Sequence, residues 1–152
     1  MPIDVERARA LALPSFQVTI ERGRLRAFAK SIGETDPVYL DVEHARSAGH
    51  PDLPVPPTFF FSLSLEAPDP FGYLRELGVE PSQILHGEQR FDYRRMAYAG
   101  DVVTLSERIT DVVSKRNGAM ELVTRTTEIS RHGNLIATAS GVLVVRNHGA
   151  MA

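Results

Sequence analysis

Glu34, Asp36 and Tyr39 lie within one short segment, Gly33-Glu34-Thr35-Asp36-Pro37-Val38-Tyr39. A carboxylate can hold a water molecule and exchange protons with it, whereas a phenol of ordinary pKa near 10 donates a hydrogen bond and rarely accepts a proton at neutral pH. The plainer reading is that the two acids finish a turn after a helix and that Tyr39 is a half-buried aromatic with its hydroxyl at the surface. Further on, His86 opens an apolar strand in Leu85-His86-Gly87-Glu88-Gln89. It is a candidate base, since imidazole titrates near 6.5, and equally a hydrogen-bonded structural histidine. His44 and His50 are six positions apart, which is no helical-face spacing, and they lack carboxylates in a ligand pattern, so no metal site is expected.

These residues sit in a chain of 152 residues with 43% hydrophobic and 24% charged side chains, the composition of one globular domain spanning 1–152. The net charge is −2, and Lys/Arg are mixed with Asp/Glu throughout, so no basic face can track a phosphate backbone and no nucleic-acid partner is expected. Zero Cys excludes a disulfide framework, a thiolate metal site and a Cys nucleophile. No apolar run reaches membrane-spanning length, and Asp4, Glu6, Arg7 and Arg9 interrupt the N-terminus in a way unlike a secretory signal. The expectation is a cytoplasmic protein with no membrane partner.

The elements that must position the candidate residues change character midway. Phe16 to Ile20 reads as a short strand; Leu25, Phe28, Ala29 and Ile32 then recur at helical spacing, which predicts a helix over 21–32 stopped at Gly33. Asp41 is placed to cap a second, short helix ended by Gly49. Pro54, Pro56 and Pro57 lead into the run 59–65, Phe-Phe-Phe-Ser-Leu-Ser-Leu. Periodicity alone does not separate buried helix from buried strand there, but proline at a first helical position favours the helix. A further helical turn or two is expected over 71–77. From Ile84 onward apolar and polar residues alternate, and Asn117-Gly118 and His132-Gly133-Asn134 supply hairpin turns. The sum is an α+β chain: a curved antiparallel sheet of about five strands with one wholly apolar helix available to lie in its concavity.

That architecture is the hot-dog fold, and the quoted segment 33–39, with Ala45, Val55-Pro56-Pro57-Thr58-Phe59 and Ala99-Gly100-Asp101, resembles the MaoC-like hydratase/dehydratase family. The similarity is greatest to its FAS1-like N-terminal dehydratase branch and spans about Phe16 to Arg146. Active members carry Gly-Asp-x-Asn-Pro-x-His and add or remove water across the α,β bond of a coenzyme A or acyl-carrier thioester, with no cofactor beyond that handle. The resemblance places Glu34 at the catalytic acid position, Asp36 at the Asn, Tyr39 at the His, and Pro57 at a Gly whose N–H, at the start of the buried helix, meets the enolate oxygen.

The three chemical positions are therefore altered. Glu34 is one methylene longer than Asp, Tyr39 is a poor base, and Pro57 has no N–H to give. The resemblance then implies an acyl-binding subunit of an (R)-specific enoyl-thioester hydratase or 3-hydroxyacyl-thioester dehydratase. Its partner would be a second hot-dog chain bearing the intact pair; a homodimer is the other arrangement. Substrate contacts are expected from Asp36, Pro57, Thr58, Phe59, His86 and Gly87, although Phe59 to Phe61 also suit core packing. Arg90, Arg94 and Arg95 can meet a coenzyme phosphate or form one solvated strand face. Three alternatives remain open: a self-sufficient homodimer in which Glu34 is the base and Thr58 or Gly87 gives the oxyanion N–H, an acyl-thioester carrier, and a hot-dog thioesterase.

Overall fold

The computed structural model describes residues 2–147. The chain begins with a five-residue helix α1 (Val5–Arg9), whose first turn is closed by the Asp4 carboxylate accepting from the Arg7 N–H at 3.0 Å. Strand β1 (Phe16–Thr19) leads directly into α2 (Arg22–Ser31). The helix stops where the spacing predicts, at Gly33, which has φ of 73° and so takes the left-handed turn that a side chain would resist. Asp41 caps α3 (Val42–Ser47) by accepting from the His44 N–H at 2.7 Å.

The apolar run is coiled, in three joined pieces: a 3-10 turn (Pro57–Phe59), the α-helical α4 (Phe60–Leu63) and a second 3-10 turn (Ser64–Glu66). It is shorter and less uniformly buried than its composition suggests. Phe59, Phe60, Leu63 and Ser64 face inward, while Phe61 and Leu65 are exposed. The reason is one-sided cover: a sheet lies beneath this segment and α2 beside it, and nothing among the described residues covers the remaining side. Helix α5 (Gly72–Glu76) follows.

Four long strands complete the sheet: β2 (Ile84–Tyr93), β3 (Val102–Lys115), β4 (Met120–Arg131) and β5 (Asn134–Arg146). All pairings are antiparallel, in the order β1-β3-β4-β5-β2. The hairpin turns fall at Asn117-Gly118 and His132-Gly133, each with positive φ. Among the described residues strand β2 therefore forms an edge of the sheet, paired with β5 alone. Between His86 and Glu88 its register shifts by one residue, leaving Gly87 as the extra residue of a bulge.

One core cluster lies between α2, the central helix and the concave sheet face, and includes Leu25, Ala29, Phe59, Leu63, Leu105, Ile129 and Ala137. A second, under α1 and α5, includes Ile3, Ala8, Leu74, Ile109, Val123 and Val145. The first positions residues 34–39 and the start of the central helix next to each other; the second closes the far end of the concavity. Among the described residues no helix is long and apolar enough to cross a membrane.

Candidate functional site

The turn after α2 determines what its acids can do. Glu34 Oε1 accepts from the N–H groups of both Thr35 and Asp36, each at 2.9 Å. Asp36 Oδ1 in turn accepts from the Val38 N–H at 3.0 Å and caps the short 3-10 turn Pro37–Tyr39. Both carboxylates thus hold the loop that presents Tyr39. Burial, with the Glu34 and Asp36 charges nearby, raises the Tyr39 hydroxyl above its ordinary pKa of 10.0, so it stays protonated and can donate.

Tyr39 and Pro57 line the same cavity, of about 300 Å³, with Phe60, Tyr93, Arg94 and Arg95 among their neighbours. Glu34 and Asp36 do not line it. At its floor the Tyr93 hydroxyl donates to the Pro57 carbonyl oxygen. That contact orients the first turn of the central helix. Phe59 donates its N–H to the Pro56 carbonyl at 3.0 Å, while the Thr58 N–H has no acceptor among the described residues. The exposed amide nearest the missing donor of Pro57 is therefore that of Thr58.

The cavity floor is supported by Gly100-Asp101. The Asp101 carboxylate accepts from the Tyr98 N–H at 2.9 Å and also bonds Arg131, which itself reaches the Met96 carbonyl at 3.3 Å. This clamp fixes residues 96–101 beneath the cavity wall, giving the Gly-Asp signature a structural role in this chain.

Two further cavities lie along the concave face of β2, sharing no lining residue with the first, and the row of three is termed the groove. Cross-strand partners place Tyr93, Phe91, Gln89, His86 and Ile84 opposite Ala137, Ala139, Gly141, Leu143 and Val145, on the side facing the central helix. A narrow pocket borders Phe61, Ser64, His86, Gln89, Arg125 and Thr127. It adjoins a larger cavity of about 390 Å³ whose wall is mainly apolar, including Leu65, Phe71, Leu74 and Ile84. His86 meets the Phe61 ring edge-on, with centroids 5.6 Å apart.

The expected site residues thus divide. Tyr39 and Pro57 come together at one end of the groove, Thr58 follows Pro57 without lining it, and His86 lies at its middle. Phe59 faces away: it is 2% exposed, packs edge-on against Phe28 and carries the Arg24 guanidinium over its ring at 5.4 Å. Gly87 stands in the bulge, where an added Cβ would lie 2.8 Å from Val144 Cγ2, so its glycine identity answers to strand packing. Tyr93, Gln89, Ser64, Arg125 and Thr127 were missed as groove residues. For Arg125 and Thr127 the available signal was their place in the alternation Val123-Arg125-Thr127-Ile129, where polar groups interrupt an apolar face. Among the described residues no group of three or more His, Asp or Glu side chains is arranged to hold a metal.

Comparison with known proteins yields a consistent set. The family model for the FAS1-like dehydratase domain region matches residues 12–139. A protein of Thermobifida fusca designated UPF0336 is 40% identical over 140 residues, covering 91% of this chain and 90% of its own. Another of that designation from Leifsonia xyli is 38% identical over 139 residues, covering 88% and 89%. Among solved structures, the HadBC (3R-hydroxyacyl-ACP dehydratase) complex from Mycobacterium tuberculosis superposes with a TM-score of 0.74 at 22% identity, over 85% of this chain and 90% of that one. A MaoC-like dehydratase gives 0.76 at 20% identity, over 93% of this chain and 44% of the other. The ChsH1-ChsH2 complex of Mycobacterium tuberculosis gives 0.73 at 18%, over 93% and 92%.

Proposed function

Since the chain belongs to the FAS1-like dehydratase domain family, within the MaoC-like dehydratases, we propose that it is the acyl-binding subunit of an (R)-specific enoyl-thioester hydratase or 3-hydroxyacyl-thioester dehydratase. A second hot-dog chain carries the acid/base pair. The observation that supports this most is the pairing of a row of cavities along one concave sheet face with a mouth poor in catalytic groups. Tyr39 is held protonated, Glu34 is committed to two backbone amides, and Pro57 has no N–H. General acid/base catalysis needs a group that can both give and take a proton near neutral pH, and none of these is arranged to do so. Arg94 and Arg95 at the mouth suit the phosphates of a coenzyme A or phosphopantetheine handle.

The open side of the groove supports a two-chain assembly. Among the described residues strand β2 has an unpaired edge, and Phe61, Leu65 and Leu85 are exposed beside it. Adding a second sheet along that edge would pair its backbone groups and cover those side chains.

Hydration of crotonyl-coenzyme A tests the reading. The pure chain is expected to turn over negligibly, and turnover is expected once it is combined with a hot-dog chain carrying Gly-Asp-x-Asn-Pro-x-His. A second reading, the self-sufficient homodimer, draws on the free Thr58 N–H as an oxyanion donor. Robust turnover by the pure chain that vanishes in Glu34→Ala would establish that second reading and overturn the first.

A further inference from the structure

We infer that the middle of the groove reads an uncharged oxygen on the acyl chain, and that Arg125 is the residue that reads it; this rests on the acyl-binding reading above. The concave face of β4 is apolar on either side of this point, with Val123 and Ile129 buried, yet Arg125 and Thr127 face the same way between them. A groove made only to hold hydrocarbon gains nothing from a guanidinium there, because burying a charge without hydrogen-bond partners is costly.

Arg125 is only partly compensated. Its side chain is 19% exposed and that of Glu107, on β3, is 9% exposed; the closest approach, Nη1 to Oε2, is 3.8 Å, beyond hydrogen-bond reach. The guanidinium carbon stands 4.9 Å from the centroid of the Tyr73 ring. Thr127 donates its hydroxyl to Glu107 at 3.3 Å, which uses one carboxylate oxygen. The N–H groups of Arg125 have no hydrogen-bond acceptor among the described residues. No fully buried side-chain polar atom there lacks a partner, so these unpaired donors retain access to open space. That space is the groove: Arg125 borders both the narrow pocket and the larger apolar cavity.

The charge balance selects the ligand. Glu107 already offsets Arg125, so a carboxylate brought to the same place would be repelled by Glu107, while a hydroxyl or ketone oxygen would accept from the guanidinium without that penalty. Ser64, His86 and Gln89 border the same narrow pocket and add polar groups around the oxygen. The position follows from the sheet. Tyr93 at the mouth and Gln89 beside the narrow pocket are four residues apart on β2, which at about 3.3 Å per residue is roughly 13 Å. The oxygen is therefore expected well down a long acyl chain, far from the thioester.

Calorimetric binding to the purified chain tests this with two saturated thioesters that cannot be hydrated: octadecanoyl-coenzyme A, and the same compound carrying a hydroxyl on the twelfth carbon. Wild type is expected to bind the hydroxylated chain about tenfold more tightly, the scale of one charge-assisted hydrogen bond. Arg125→Met keeps the apolar stem over Tyr73 and is expected to bind both equally. Equal binding by wild type, or a preference that survives in Arg125→Met, overturns the assignment of Arg125 while leaving the acyl-binding reading in place. Failure of wild type to bind either thioester overturns that reading and this one together. Because the wild-type comparison decides the first point alone, an unfolded variant does not remove the test.

Discussion

Phe59 and Phe61 are two positions apart on the central helix, yet replacing each with alanine should do opposite things. Phe59 is 2% exposed, meets Phe28 edge-on at 5.4 Å and supports Arg24, whereas Phe61 is 40% exposed and touches His86 across the groove. Removing a fully buried Phe ring forfeits its transfer free energy and leaves a cavity, so Phe59→Ala is expected to cost about 3–5 kcal/mol of folding stability. For a chain of this size each kcal/mol lowers the melting temperature by about 2–4 °C, so the midpoint should fall by roughly 10 °C. Phe61→Ala should cost less than about 1 kcal/mol, as for most exposed substitutions. It should instead weaken acyl-thioester binding several-fold, because Phe61 lines both inner pockets of the groove. Urea titration followed by circular dichroism gives the stabilities, and calorimetry gives the affinities. If Phe59→Ala cost under about 1 kcal/mol, or Phe61→Ala matched it, the division of this helix into a core face and a groove face would be wrong.

Other consequences can be checked with the same purified protein. Asp52 accepts from Arg22 at 2.9 and 2.5 Å, and that hydrogen bonding holds its carboxyl at about 2, below the ordinary 3.8. The pKa is depressed on folding, so the pair's contribution is present above about pH 4 and fades as pH falls toward 2; Asp52→Asn should flatten that part of the acid denaturation profile. Tyr39 should ionise above its ordinary value, as should Tyr73 and Tyr93, so Tyr39→Phe should diminish but not abolish the delayed component of the ultraviolet pH titration. Ala at Gly87 would push its Cβ to 2.8 Å from Val144 Cγ2 and 3.3 Å from the Val142 carbonyl oxygen, which should cost about 1–3 kcal/mol by denaturant titration. Cutting the Asp101 clamp with Asp101→Ala leaves Arg131 and the Tyr98 N–H short of an acceptor, and a loss of about 2 kcal/mol is expected in the same assay.

The fold was legible where local chemistry and tertiary packing agree. Helix α2 shows its apolar face at Leu25, Phe28 and Ala29 and its stop at Gly33; α3 shows its cap at Asp41. Turns at Asn117-Gly118 and His132-Gly133 carry the residues that positive φ demands. Helix α1 was not legible, because five residues are too few to display a period, and its stability comes from Ala8 and Ile3 packing into the second core. The Ile3 N–H also donates to the buried Glu121 at 2.7 Å, a contact spanning nearly the whole chain that no local pattern announces.

At the site, adjacency in sequence exposed one half and concealed the other. Tyr39, Pro57 and Thr58 could be named because each stands in a recognisable segment. The groove wall beyond His86 could not, because the bulge in β2 changes which residues face inward: Ile84 and His86 before it, Gln89, Phe91 and Tyr93 after it. A reading that assumes unbroken alternation misassigns one side of that break. That Glu34 finishes a turn was one of two readings the sequence left open, since a carboxylate that holds backbone amides and one that waits for substrate are the same letter.

The extra residue in β2 works as an expansion joint. Register on its two sides is kept independently, with His86 opposite Leu143 and Glu88 opposite Val142, so excising Gly87 would join the two ladders without turning any other side chain. Excising Arg90 instead would offset only the residues between the cut and the bulge, or else rotate Phe91 and Tyr93 out to solvent, because strand faces alternate every residue. Insertions and deletions along this wall should therefore be absorbed at one place, and related chains of different length should differ there before they differ anywhere else on the strand.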